Sequence, residues 1–225
     1  HDLSQEINLG KQLDEQTTIV ILRDILEVLE TVHRQNVIHR DIKPANLIRR
    51  NSDGKIELID FGAVKQISIT NNNGQNIRTI PVGTPGYMPP EQREGRPQLS
   101  SDIYAVGMLG IAALTGIPPH QLPINSNTLE VVWKDRVSVS GKLARVLDKM
   151  VAYNCNSRYQ NASEALQAVR DLLPDRSPDK KPKLKWWIVG LIGGIIIASG
   201  GAFLWGNREQ PPNQPTPPPT DDWVW

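Results

Sequence analysis

Residues 186–206, WWIVGLIGGIIIASGGAFLWG, run for 21 positions without a charge. As a helix rising 1.5 Å per residue, this stretch reaches about 31 Å, enough for the hydrocarbon core of a bilayer. Trp186, Trp187 and Trp205 stand at its two ends, where an aromatic belt belongs. A single transmembrane helix is expected over 186–206, in preference to a buried core helix. It divides the 225 residues into a globular part, 1–173, a basic juxtamembrane linker, 174–185, and a Pro-rich tail, 207–225. Composition changes at the same place: five of 6 Trp and nine of 18 Pro lie from Pro174 onward. Lys180, Lys181, Lys183 and Lys185 precede the span and only Arg208 follows it closely, so the positive-inside rule puts the globular part in the cytoplasm. The expected location is the cell membrane, with one pass and an extended extracytoplasmic tail. Gly190, Gly194, Ala198, Ala202 and Gly206 recur every fourth position, a small-residue face through which two copies could pair as a homodimer.

The globular part has the makeup of a packed domain. The chain is 39% hydrophobic and 22% charged, which excludes disorder throughout. Lys plus Arg is 25 against 24 Asp plus Glu, a balance that argues against nucleic acid as a partner. Cys155 is the one cysteine, so no internal disulfide and no cysteine-cluster zinc site can form; it reads as an inert, partly buried thiol.

Apolar residues at helical spacing (Ile19, Leu22, Ile25, Leu26, Leu29, Val32) predict a helix over Asp14–Gln35 with Asp14 as its cap. Leu47–Arg49 and Ile56–Ile59 read as two strands of a hairpin turned by Asn51, Ser52, Asp53 and Gly54. An irregular stretch follows from about 69 to 97. Ser101–Leu114 is apolar nearly all round and reads as a buried core helix, too short to span a membrane. Lys142–Val151 and Ser163–Leu173 complete the set as amphipathic helices. The fold class expected is mainly α with a small two- or three-stranded β element near residues 37–60.

His39-Arg40-Asp41-Ile42-Lys43-Pro44-Ala45-Asn46 fits H-R-D-x-x-x-x-N, Asp60-Phe61-Gly62 follows fourteen residues after Asn46, and Pro89-Pro90-Glu91 comes later. This ordered set resembles the eukaryotic-type protein kinases. The DFGAVK and GTPGYMPPEQ wording is most similar to bacterial, especially cyanobacterial, serine/threonine kinases. The resemblance covers 1–173 and corresponds to most of the larger, helical lobe. It implies ATP and Mg²⁺ as cofactors and protein Ser or Thr hydroxyls as substrates. By the same resemblance Asp41 accepts the substrate's proton, Asn46 and Asp60 hold Mg²⁺ and so bind the nucleotide, Lys43 contacts the transferred phosphate, and Thr84 bonds Asp41 and Lys43. Glu91 and Arg158 match a structural ion pair. Asp102 matches an aspartate that braces the catalytic loop, and it could equally be a helix cap. Thr79, with Ser68 and Thr70 behind it, is the expected activation-loop phosphosite.

No G-x-G-x-x-G precedes the HRD stretch, and Lys11 lacks a V-A-I-K setting. The smaller lobe is therefore expected to be absent from these 225 residues, and the chain alone is expected to be inactive. Aminoglycoside-type phosphotransferases share the H-x-D-x-x-x-x-N idea but generally lack the Lys43, DFG and P-P-E features. The rival from another class is a non-catalytic, membrane-tethered interaction module.

Overall fold

The computed structural model describes residues 2–7, 10–60, 65–66 and 81–174. The chain divides into two units, His1–Arg176 and Ser177–Trp225, and every described residue belongs to the first. Phe61, Gly62, Ser68, Thr70, Thr79, nearly all of the linker, the 186–206 span with its small-residue face, and the tail lie outside the described residues. Among the described residues, no helix is long and apolar enough to cross a membrane.

The first helix, α1 (Glu15–His33), starts where the sequence signals it. Asp14 accepts the Thr17 backbone N–H at 2.9 Å and the Thr17 hydroxyl at 2.6 Å, satisfying a donor that the first turn would leave unpaired. Ile19, Leu22, Ile25, Leu26 and Leu29 form its buried stripe, packed against α3 (Leu99–Thr115) and α5 (Ala162–Arg170). Only Leu99 and Tyr104 of α3 escape full burial, as the absence of a polar stripe requires. This helix begins two residues earlier than expected, because the Ser101 hydroxyl accepts the Gln98 backbone N–H at 3.0 Å and secures the first turn. It ends on Gly116 in the left-handed region, φ 69°, where a side chain would press on the backbone of Gly10 and Lys11.

Two shorter helices flank it. The four-residue α2 (Pro90–Arg93) interrupts the stretch read as irregular, and α4 (Gly141–Met150) is capped by the Ser140 hydroxyl accepting from Leu143. A Cβ on Gly107 would sit 2.7 Å from Met150 Cβ and from Val151 Cγ1, so the end of α4 lies directly on the α3 backbone. Trp133 is fully buried, its indole N–H donating to Asp148 at 3.0 Å.

The β structure differs from expectation in one respect. The β2–β3 hairpin (Leu47–Arg49 with Ile56–Leu58) is present, with Leu47 opposite Leu58. A second antiparallel pair joins β1 (Val37–Ile38), inside the expected 37–60 window, to β4 (Lys65–Gln66), outside it. A two-residue strand carries no alternation, so no sequence pattern announces it. The nesting matters for the site. The chain leaves α1 through β1, makes the 39–46 loop, turns through β2–β3 and returns to Asp60 beside that loop, with Ile59 N–H donating to the Asn46 carbonyl at 3.0 Å.

Candidate active site

The loop is held from below by α3. Asp102, 1% exposed, accepts the backbone N–H of His39 and of Arg40, both at 2.8 Å. It also receives the His33 ring at 3.1 Å. His33 Nδ1 accepts the Ala162 backbone N–H at 3.0 Å, so the ring is the neutral Nε2–H tautomer and donates to Asp102. Asp102 is thus not a helix cap: Gln98 holds that position, and the Asp102 carboxylate serves the loop instead. Its grip sustains Arg40 at φ 70°, a left-handed conformation that is costly for a residue with a Cβ.

That geometry delivers Asp41. Its Oδ1 accepts the Thr84 hydroxyl at 2.7 Å. Its Oδ2 accepts Lys43 Nζ at 2.8 Å and Asn46 Nδ2 at 3.0 Å. Asn46 Nδ2 also donates to the Asp41 carbonyl at 2.8 Å, and Lys43 Nζ donates to the Thr84 hydroxyl at 3.1 Å. Three of the other residues singled out from the sequence, Thr84, Lys43 and Asn46, therefore converge on the Asp41 carboxylate. Burial alone would raise the Asp41 pKa, but hydrogen bonds from Lys43 and Thr84, the Lys43 charge and the Asn46 amide together hold it below the usual value. Asp41 is ionised at neutral pH, and its side chain keeps partial access to solvent.

The fifth residue, Asp60, follows β3, exposed and at φ 61°. His39 ties it to the loop. The buried His39 ring donates from Nε2 to the Ile59 carbonyl at 3.2 Å, while Nδ1 accepts the Asp41 backbone N–H at 3.4 Å. Burial lowers the His39 pKa, opposed by Asp102, the Ile59 carbonyl, Asp41 and Asp60. The unfolded chain consequently takes up a proton at this position before the folded one does. Stability from this group is complete above about pH 6.5 and falls as pH drops below it. Urea midpoints should decline from pH 7 to pH 5, and His39→Gln, which keeps an N–H donor without a titrating ring, should make that decline shallower. An identical slope in the variant would exclude His39 as its source.

The donor chemistry of Asn46 and Asp60 suits Mg²⁺. Both offer hard oxygens, and because Asn46 Nδ2 is spent on Asp41, its Oδ1 is the end of the amide left for a cation. Among the described residues, no group of three or more His, Cys, Asp or Glu could hold a metal by itself. A two-ligand site completed by phosphate oxygens and water suits Mg²⁺.

A second polar cluster secures the segment that carries Thr84. Glu91 in α2 and Arg158 pair through two contacts, 2.7 and 3.1 Å. The Arg158 side chain has no exposure, and it also donates to the carbonyls of Ala152, Tyr153 and Ser100. The Ser101 hydroxyl adds a 2.7 Å bond to Glu91. His33 and Trp133 were not assigned roles from sequence. His33 continues the buried α1 stripe one turn beyond Leu29, a spacing that marks it as internal without revealing its partner.

The protein kinase domain family matches residues 1–170, and the chain belongs to that family. It is 44% identical over 174 residues to serine/threonine-protein kinase B of Synechocystis sp., a match covering 75% of this chain and 30% of that protein. It is also 44% identical over 161 residues to serine/threonine-protein kinase PknA of Nostoc sp., covering 70% of this chain and 28% of that one. More distantly, it is 31% identical over 159 residues to Aurora kinase B of Mus musculus, 68% of this chain and 44% of that protein. The chain therefore spans less than a third of the length of the two cyanobacterial relatives.

Proposed function

We propose that this chain is the large-lobe part of a membrane-anchored serine/threonine protein kinase. It would transfer the ATP γ-phosphate to a Ser or Thr hydroxyl of a protein. The observation that carries this reading is the Asp41 carboxylate, ionised and oriented at both oxygens by Thr84, Lys43 and Asn46. Asp41 accepts the proton of the substrate hydroxyl as the hydroxyl oxygen attacks the γ-phosphorus and the bond to the β–γ bridging oxygen breaks, releasing ADP. Lys43, beside Asp41, offers its ammonium to the phosphoryl oxygens. Asn46 and Asp60 would hold Mg²⁺, which when bound neutralises charge on the phosphates. Thr84 sets the Asp41 rotamer, and Asp102 and His39 fix the backbone on which it stands. A pseudokinase or interaction module is disfavoured because Asp41, Asn46 and Asp60 are all retained. Incubating the full-length protein with labelled Mg-ATP and a mixed protein substrate, then hydrolysing the product in acid, should yield phosphoserine or phosphothreonine. Label on tyrosine alone would overturn the Ser/Thr assignment.

Membrane anchorage rests on the uncharged 186–206 run and the four lysines before it. The pairing part has its own test. In an assay of membrane-helix self-association, Gly194→Ile should weaken dimerisation more than Gly193→Ile, because Gly193 lies off the every-fourth-residue face. Equal effects, or no association, would remove pairing and leave the single pass standing.

A further inference from the structure

Gln92, 3% exposed in α2, has no part in the roles assigned above. Its Nε2 donates to the Arg40 carbonyl at 2.6 Å and to the Val82 carbonyl at 2.7 Å. Both amide hydrogens are spent on carbonyl oxygens, which also settles which end of the amide is nitrogen. The two acceptors belong to the two segments that meet at Asp41. Arg40 directly precedes Asp41 and sits at φ 70°. Val82 lies two residues before Thr84, whose hydroxyl orients the Asp41 carboxylate at 2.7 Å. Gly83 between them has φ 145°, and a Cβ there would fall 2.7 Å from Gln92 Nε2 and 2.9 Å from the Arg40 carbonyl oxygen. The backbone has closed around this one amide.

We infer that Gln92 is a positioning residue for phosphoryl transfer: its side-chain amide clips the Arg40 carbonyl to the Val82 carbonyl and so fixes Asp41 against Thr84. Two carbonyl oxygens drawn to one point repel each other, and only a double donor between them holds them there. Without it the loop and the Thr84 segment part, and the carboxylate loses its alignment with the incoming hydroxyl. Such sites tolerate little displacement, since about 1 Å of misplacement costs on the order of 10²-fold in rate.

This inference rests on the reading of Asp41 as proton acceptor, so its test carries Asp41→Asn as a control. In the full-length protein, Gln92→Met fills the same space without donors and should lower kcat by about 10- to 100-fold with KM for ATP unchanged. Gln92→Glu, which sets a carboxylate against two carbonyl oxygens, should lower kcat further. Amide hydrogen exchange over residues 39–46 and 81–86 should speed up in both variants, a readout available in the 225-residue chain even where turnover is too slow to measure. A near-normal kcat for Gln92→Met beside an inactive Asp41→Asn overturns the Gln92 inference alone. Near-normal turnover in both overturns the reading of Asp41 as well. Losses of kcat that merely follow a lower melting temperature, with KM for ATP rising in step and exchange spread over the whole lobe, reduce Gln92 to a packing residue and also overturn the inference.

Discussion

Asp41→Asn in the full-length protein should cut kcat by roughly 10²–10⁴-fold, the range that positioned proton acceptors contribute. The substitution is nearly isosteric, so the fold is kept and the loss falls on chemistry. It is not neutral for the site, however. Asp41 accepts at both oxygens, from Thr84 on one side and from Lys43 and Asn46 on the other. An amide can accept on only one side, and its NH₂ must face either a hydroxyl or an ammonium and an amide. Thr84 alone can turn its proton away, so Asn should settle with its oxygen toward Lys43 and its nitrogen toward Thr84. KM for ATP should change little, because Asn46 and Asp60 remain. If Asp60 holds Mg²⁺ as proposed, Asp60→Ala should be as severe in kcat and should also raise the Mg²⁺ requirement. Initial rates at saturating and limiting Mg²⁺ separate the two roles. Near-normal turnover of Asp41→Asn would remove Asp41 from the proton-accepting role.

Much of this site was legible because phosphoryl transfer constrains residue types at short range. Asp41, Lys43 and Asn46 share one loop, and a loop fixes its own spacing. Thr84 comes from 43 residues beyond Asp41, and only the likeness to a known family linked the two. The hairpin was readable from the turn residues 51–54, whereas the β1–β4 pair was not, since two residues carry no period. Helix bodies followed apolar spacing, while their ends followed caps: the Gln98–Ser101 bond started α3 early, and a fall of polarity alone could not reveal it. The least legible residues were those whose partners are backbone atoms. Nothing in the sequence says that Gln92 meets two carbonyls, or that His33 spans the first turn of α5 and Asp102. Side-chain to backbone contacts across long separations leave no pattern in spacing, because the acceptor is present at every position of every chain.

The Glu91–Arg158 pair carries the largest expected effect on stability. Arg158 uses all five of its N–H groups: two on Glu91, and one each on the carbonyls of Ala152, Tyr153 and Ser100. Its guanidinium also lies 4.8 Å from the Tyr104 ring centroid. Arg158→Met would fill much of the volume but strand a buried carboxylate and three carbonyls. Breaking one side of a buried pair costs about 3–5 kcal/mol, which for a unit of this size corresponds to a fall of roughly 10 °C in melting temperature. Arg158→Lys should recover little, because a single ammonium has three donors and no fork to match the carboxylate. Glu91→Gln should cost less than Arg158→Met, since the amide oxygen still accepts and the carbonyls of Ala152, Tyr153 and Ser100 keep their Arg158 donors, even though the buried guanidinium loses its counter-charge and faces the new NH₂. Thermal unfolding followed by far-ultraviolet circular dichroism ranks the three. If Arg158→Met melted within about 2 °C of the unmodified chain, less than 1 kcal/mol on the same scale, the pair would be a spectator. The ranking also bears on catalysis: Glu91 and Gln92 are neighbours on the four-residue α2, so releasing Glu91 from Arg158 frees the helix that carries the clip. Arg158→Met should therefore lose kcat even at temperatures where it remains folded, and Glu91→Gln should lose less, in the same order as their stabilities.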